Sequence, residues 1–129
     1  MVGREQKIFQ IVGYQNSGKT TWIEYLLEYA SFHGKTVGVV KHHGHGGRPV
    51  IGDKGKDTER YRKKGAYAVT VEGGNTAVVT INGYYGLEDI LKLYQSLPLD
   101  FILIEGYKKA SFPKAVMIHR EEDKNLLKL

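Results

Sequence analysis

Cysteine is absent from the 129 residues, which excludes disulfides, thiolate metal sites and a cysteine nucleophile. The absence is compatible with a reducing cytosol. No apolar stretch approaches the ~20 residues needed to span a bilayer, and MVGREQKIFQIVG lacks the apolar core of a signal peptide. A cytoplasmic location with no membrane partner is the expectation. The G-x-S-x-G elbow of hydrolases is missing, as is the N-K-x-D motif with which Ras-like GTPases read guanine, so the residues do not name a base. There is no repeat, low-complexity block or linker, and the length suits a single domain with one core. The net charge of +5 calls for anionic partners. Its densest run, RYRKKG at residues 60–65, is short and reads as a solvated helix face, and no nucleic-acid module is recognisable. Nucleic acid is therefore not an expected partner.

What is present alternates between strand and helix patterns. Residues 7–12 (KIFQIV) form a short β-rich run, followed by a glycine-rich turn. Across residues 20–33, Trp22, Ile23, Leu26, Leu27 and Ala30 recur at helical spacing up to Gly34. Residues 36–42 (TVGVVKH) suit a strand buried on both faces, which completes a right-handed βαβ unit. HGHGGRPVIGDKGKD has little periodicity and reads as a mobile loop leading to a short helix over residues 57–64. Two β-rich runs flank Glu72-Gly73-Gly74-Asn75 as a hairpin. A helix over residues 87–97 presents Ile90, Leu91, Leu93, Tyr94 and Leu97. Strands are expected at residues 100–106 (DFILIEG) and 114–119 (KAVMIH), before the charged tail REEDKNLLKL. The pattern predicts an α/β fold of three layers with a mainly parallel central sheet and an added β-hairpin.

The turn GYQNSGKTT satisfies G-x-x-x-x-G-K-[ST] at every fixed position. A triphosphate is a dense anion, and backbone amides running into a helix N-terminus surround it without side chains in the way. Gly13, Asn16, Ser17 and Gly18 would build that cradle. Lys19 would reach the β- and γ-phosphates, the Thr20 hydroxyl would ligate Mg²⁺, and Thr21 would contact the α-phosphate. Chance alone produces such a match in on the order of 1–2% of chains of this composition, before the flanking strand and helix are considered. Glu105 ends the strand FILIE, where phosphoryl chemistry needs an acid near the metal; a solvated strand-end charge is the bland alternative, and the phosphate-binding turn in the same chain favours the metal- or water-directed role. Asp57, at a helix start, reads equally as an N-cap or as a second acid near Mg²⁺. Lys41 and Lys108 each follow a buried strand and would face an anion. His42, His43 and His45 invite a zinc site, but the loop supplies no Cys, and closely spaced histidines on a glycine-rich loop need further ligands to close a tetrahedron.

Assembled in order, GYQNSGKTT, VVKHHGH, GKDTERYRKKGA and DFILIEGYK, with Pro113, Lys114 and Arg120 downstream, resemble the molybdopterin-guanine dinucleotide biosynthesis protein B family, MobB. The resemblance runs through most of the chain. It implies a P-loop protein that binds GTP with Mg²⁺ and acts late in molybdenum cofactor assembly. The family helps a guanylyltransferase of the MobA type attach GMP to molybdopterin, with weak GTPase activity and a homodimeric state in which strands of the two subunits join. On that likeness the hairpin at residues 72–75 is a dimer arm, molybdopterin is a possible ligand, and Asp57 joins Glu105 near the metal, as in enzymes similar to dethiobiotin synthetase. A small ATP- or GTP-dependent phosphotransferase or ligase of that type is the alternative. Family chains continue past KAVMIHR, so a further strand region is expected to be lacking here. No residue reads as a strong base held on a rigid element, which favours holding the nucleotide over spending it.

Overall fold

The computed structural model describes residues 5–44, 46–118 and 121–128. In chain order the elements are β1 (Lys7–Gly13), α1 (Lys19–Phe32), β2 (Val37–Lys41), α2 (Asp57–Lys63), β3 (Ala68–Gly73), β4 (Thr76–Ile81), α3 (Leu87–Tyr94), β5 (Phe101–Glu105), β6 (Lys114–Met117) and a closing 3-10 helix, Glu121–Lys128. They divide into two compact units: residues 45–85, and the chain on either side of that stretch.

The larger unit is built on a four-stranded sheet in the order β2-β5-β1-β6, every pairing parallel. Alternation along the strands divides the core between the two faces. On one face Val40, Ile102 and Ile104 pack with Leu91 of α3 and with Leu99. On the other, Ile11 and Leu103 pack with Ile23 of α1, flanked by Leu26 and Leu27. A helix on each face makes three layers, as the strand and helix patterns predict. The central strands β1 and β5 carry the most buried residues, because only they have neighbours on both edges and cover on both faces.

Two apolar assignments differ from expectation. Ile23 is the buried residue of α1, whereas Trp22 is 45% exposed and lies with Tyr25, Tyr29 and Phe32 on the open side of the helix. In α3, Leu91 is buried with Ile90 and Tyr94 against it, but Leu93 is exposed, and so is Leu97 beyond the helix end at Tyr94. Both helices rest on a sheet through a single stripe, so apolar residues to the side of that stripe stay in solvent. β6 closes at Met117, and His119 of the expected strand lies outside the described residues.

In the smaller unit β3 and β4 form the expected antiparallel hairpin, with Gly73 paired to Thr76. The turn is therefore the two residues Gly74-Asn75, both at positive φ (55° and 62°), as a type I′ turn requires. The second half of the loop before α2 is tied down. Arg62 of α2 grips Asp53 with two bonds (Nε to Oδ2 3.0 Å, Nη2 to Oδ1 2.5 Å), and the Thr58 hydroxyl donates to Oδ2 at 3.0 Å. This fork holds the Asp53 carboxyl below its ordinary range and raises the Arg62 guanidinium.

Candidate functional site

Because β1, β2, β5 and β6 run parallel, their C-terminal ends share one edge of the sheet, and the chemistry-bearing residues collect there. β1 ends at Gly13 and passes into a tight loop in which the Ser17 amide donates to the Tyr14 carbonyl at 3.2 Å. Asn16 (φ 62°) and Gly18 (φ 94°) lie in the left-handed region, the geometry that turns successive amides into an anion-binding concavity. Gly18 then caps α1 with no side-chain cap bond, and the first turn holds no acid. The amides that begin the helix are thus left for an external acceptor.

At its start, Gly13, the loop has no room for a side chain. A Cβ on Gly13 would fall 2.6 Å from Ser17 Oγ and 2.9 Å from Met117 Cβ. Lys19 reaches back over the loop, its Nζ donating to the Gly13 carbonyl at 2.6 Å. Ser17 Oγ is buried with no hydrogen-bond partner. A cradle sized for backbone, an orphaned hydroxyl and an ammonium parked on a carbonyl all fit a phosphate chain. Thr20 and Thr21 follow, exposed on the first turn of α1.

Glu105 closes β5, with Ile11 of β1 and Lys41 of β2 as its register partners on either side. Lys41 is exposed, and the next residue, His42, donates its amide to the Glu105 carbonyl at 3.0 Å. Beyond Glu105 the chain takes two left-handed steps, Gly106 (φ 88°) and Tyr107 (φ 52°). The second is unusual for a tyrosine and needs support. Gln10 supplies it. This wholly buried side chain on β1 donates from Nε2 to the carbonyls of Gly106 (2.7 Å) and Tyr107 (2.6 Å). The His42 ring packs against the Tyr107 ring with centroids 4.8 Å apart. The turn delivers Lys108, whose Nζ lies 4.8 Å over the Tyr14 ring of the loop after β1.

The structure thus brings together Gly13, Asn16, Ser17, Gly18, Lys19, Thr20 and Thr21 in one loop and helix start. It places Lys41 and Glu105 side by side on the sheet edge, with Lys108 reaching the loop through Tyr14. Asp57 belongs to the smaller unit. It is the first residue inside α2, the cap position being Lys56, so the N-cap reading gives way to a charge in the first turn. His42 and His43 are exposed, and His45 lies outside the described residues. Among the described residues no three of His, Asp and Glu are grouped to hold a metal ion. Motif reading missed Gln10, Tyr14 and Tyr107. The lone amide in KIFQIV was the one visible sign of Gln10.

A family model described as molybdopterin guanine dinucleotide synthesis protein B matches residues 8–129. The chain is similar to a Bacillus subtilis protein described as "Probable molybdopterin-guanine dinucleotide biosynthesis adapter protein", with 49% identity over 116 residues, 90% of this chain and 67% of the relative. It is 30% identical over 114 residues to the molybdopterin-guanine dinucleotide biosynthesis adapter protein of Haemophilus influenzae, covering 87% of this chain and 62% of that one. The chain therefore spans about two thirds of these relatives' length. Its fold superposes on the crystal structure of Bacillus subtilis MobB with a TM-score of 0.83 at 47% identity, over 92% of this chain and 72% of that one.

Proposed function

Since the chain belongs to the molybdopterin guanine dinucleotide synthesis protein B family, we propose that it is an adapter in molybdenum cofactor biosynthesis that holds GTP with Mg²⁺ and hydrolyses it slowly. The observation that carries this reading is the phosphate-shaped loop, with the Lys19 ammonium bonded across it to the Gly13 carbonyl. A β- or γ-phosphate offers that ammonium a charged acceptor in place of a neutral one, and charge-assisted bonds are the stronger. The open amides at the start of α1 and the Ser17 hydroxyl complete the cradle. Thr20 and Glu105 are the residues that would hold Mg²⁺, which neutralises charge on the β- and γ-oxygens. A role for Asp57 at the metal rests on the family likeness alone, and Asp57→Asn tests it. Slow turnover is the reading for this edge because, among the described residues, Glu105 is the one acid that ends a strand of the sheet, and the ring of the adjacent His42 is packed on Tyr107.

The partner under this reading is a guanylyltransferase that attaches GMP to molybdopterin, with molybdopterin itself as a further ligand. A homodimer would form through the β3–β4 hairpin, whose Val71, Val78 and Val79 are exposed. The deciding experiment is a thermal-shift panel of nucleotides. GTP–Mg²⁺ should raise Tm more than ATP–Mg²⁺, since ligand at ~1000 times Kd adds about 4 kcal/mol. Equal shifts would sink the guanine assignment, and full binding by Lys19→Ala would move the site elsewhere. Hydrolysis measured with and without the guanylyltransferase separates a regulated GTPase, which the partner stimulates, from a passive holder.

A further inference from the structure

A second cationic concavity lies in the chain between β5 and β6. It is an open depression of about 550 Å³ lined by Lys108, Lys109, Ala110, Ser111, Phe112 and Lys114. That volume is in the range of small-molecule sites. No residue of the loop at 13–20 lines it. Three lysines line it within seven residues, Lys108 with its ammonium over the Tyr14 ring, and none is ion-paired with an acid among the described residues. Like charges gathered without compensation repel, and a bound anion removes that cost.

The walls are held in place. Gln10 pins the carbonyls of Gly106 and Tyr107 from inside the sheet. The Ala110 amide closes the turn onto the Tyr107 carbonyl at 2.8 Å. The Lys114 ammonium, rising from β6, donates to the Ala110 carbonyl, which leaves two of its three N–H groups for a ligand. Lys109 is exposed and makes no side-chain bond among the described residues, and Ser111 adds a hydroxyl. Phe112 is half-buried, seated against the core under α3, and gives the cavity one firm apolar surface. Cations grouped around a hydroxyl, with an aromatic face beside them, match an anionic phosphate carried on a flat ring.

We propose that this cavity is a second anion site, independent of the loop after β1, which takes a phosphomonoester joined to a flat apolar or heteroaromatic body. Lys109 and Lys114 hold the phosphate, Phe112 packs on the ring, and Lys108 stands at the border between the two sites. The proposal does not depend on which nucleotide the first loop accepts, or on its accepting one.

The test is titration of the full chain with phenyl phosphate, followed by calorimetry. Lys109→Ala combined with Lys114→Gln should weaken binding by about tenfold or more, the value of a lost charge-assisted bond, while Tm stays near that of the parent. Lys19→Ala should leave phenyl phosphate binding unchanged, and phenyl phosphate should still bind with GTP–Mg²⁺ at saturation. Phe112→Ala should weaken phenyl phosphate more than inorganic phosphate. Undiminished binding by the double variant overturns the site. So does loss of binding in Lys19→Ala, which would assign the anion to the loop after β1. Because the double-variant arm uses no nucleotide, it remains decisive even if GTP fails to bind.

Discussion

Gln10 shows how much a single residue can hold. Its side chain is fully buried, yet it stabilises the fold by satisfying two carbonyls in a turn 96 and 97 positions away. Replacing it with leucine keeps the volume and strands both acceptors. A stranded acceptor costs about 1–3 kcal/mol, so Gln10→Leu should lower the unfolding free energy from urea melts by a margin of that order. Gln10→Glu should do worse, because a buried carboxylate would face two carbonyl oxygens. Gly13→Ala is the corresponding test on the phosphate loop. Its methyl would meet Ser17 Oγ and Met117 Cβ inside van der Waals distance, so GTP–Mg²⁺ should no longer raise Tm. These two residues differ in how visible they are. The glycine belongs to a fixed local pattern and can be found by spacing. The glutamine belongs to no pattern, because its partners are distant in the chain and it looks like any polar residue on a strand.

Among the elements, most strands and helices were readable, because each carries its period within a few residues. The faces were less so. In α1 the aromatic residues Trp22, Tyr25, Tyr29 and Phe32 compete with as many aliphatic ones, and hydrophobicity alone does not say which stripe meets the sheet. Ile23 does. Ile23→Ala should cost about 2–5 kcal/mol, as buried aliphatic truncations do. Phe32→Ser, at a position 87% exposed, should change stability by no more than ~0.5 kcal/mol in the same melts. In the smaller unit the segment before α2 gave no periodic signal, yet Asp53 ties it to Arg62. A carboxyl whose pKa is lowered by folding stabilises the fold above its unfolded pKa and loses that contribution as pH falls through the folded value. Amide protection across residues 53–63 should therefore hold at pH 5 and fall below about pH 4. Asp53→Asn should show reduced protection already at pH 5 and little further loss in acid.

For the molecule as a whole, strand order was the part hidden from sequence. β1 is followed by β2 in the chain, but β5 sits between them in the sheet and β6 lies on the far side of β1. Nothing local in FILIE or KAVM records those neighbours, since parallel partners are chosen by the global arrangement of crossovers. The division into two units was also hidden, for the glycine- and charge-rich stretch from residue 43 reads as a loop and nothing in it says that a separate unit begins there. This order has a kinetic result. The sheet forms only by joining residues near 10 to residues near 104 and 114, and such non-local pairing slows folding. Refolding by stopped-flow fluorescence of Trp22 should fall in the millisecond-to-second range rather than in microseconds.

The bonds from Gln10 to Gly106 and Tyr107 also have a consequence for the chain as it is made. The phosphate loop is complete once residue 21 has been added, but the turn that Gln10 supports and that carries Lys108 arrives some 85 residues later, roughly 4–17 s at ribosomal rates of 5–20 residues per second. During that interval the nascent segment has its glycines and its lysine but neither Glu105 nor the strand β5 beside it. On the proposed function, GTP capture waits for β5 and the turn after it, and a ribosome-bound segment ending before residue 100 should not retain GTP.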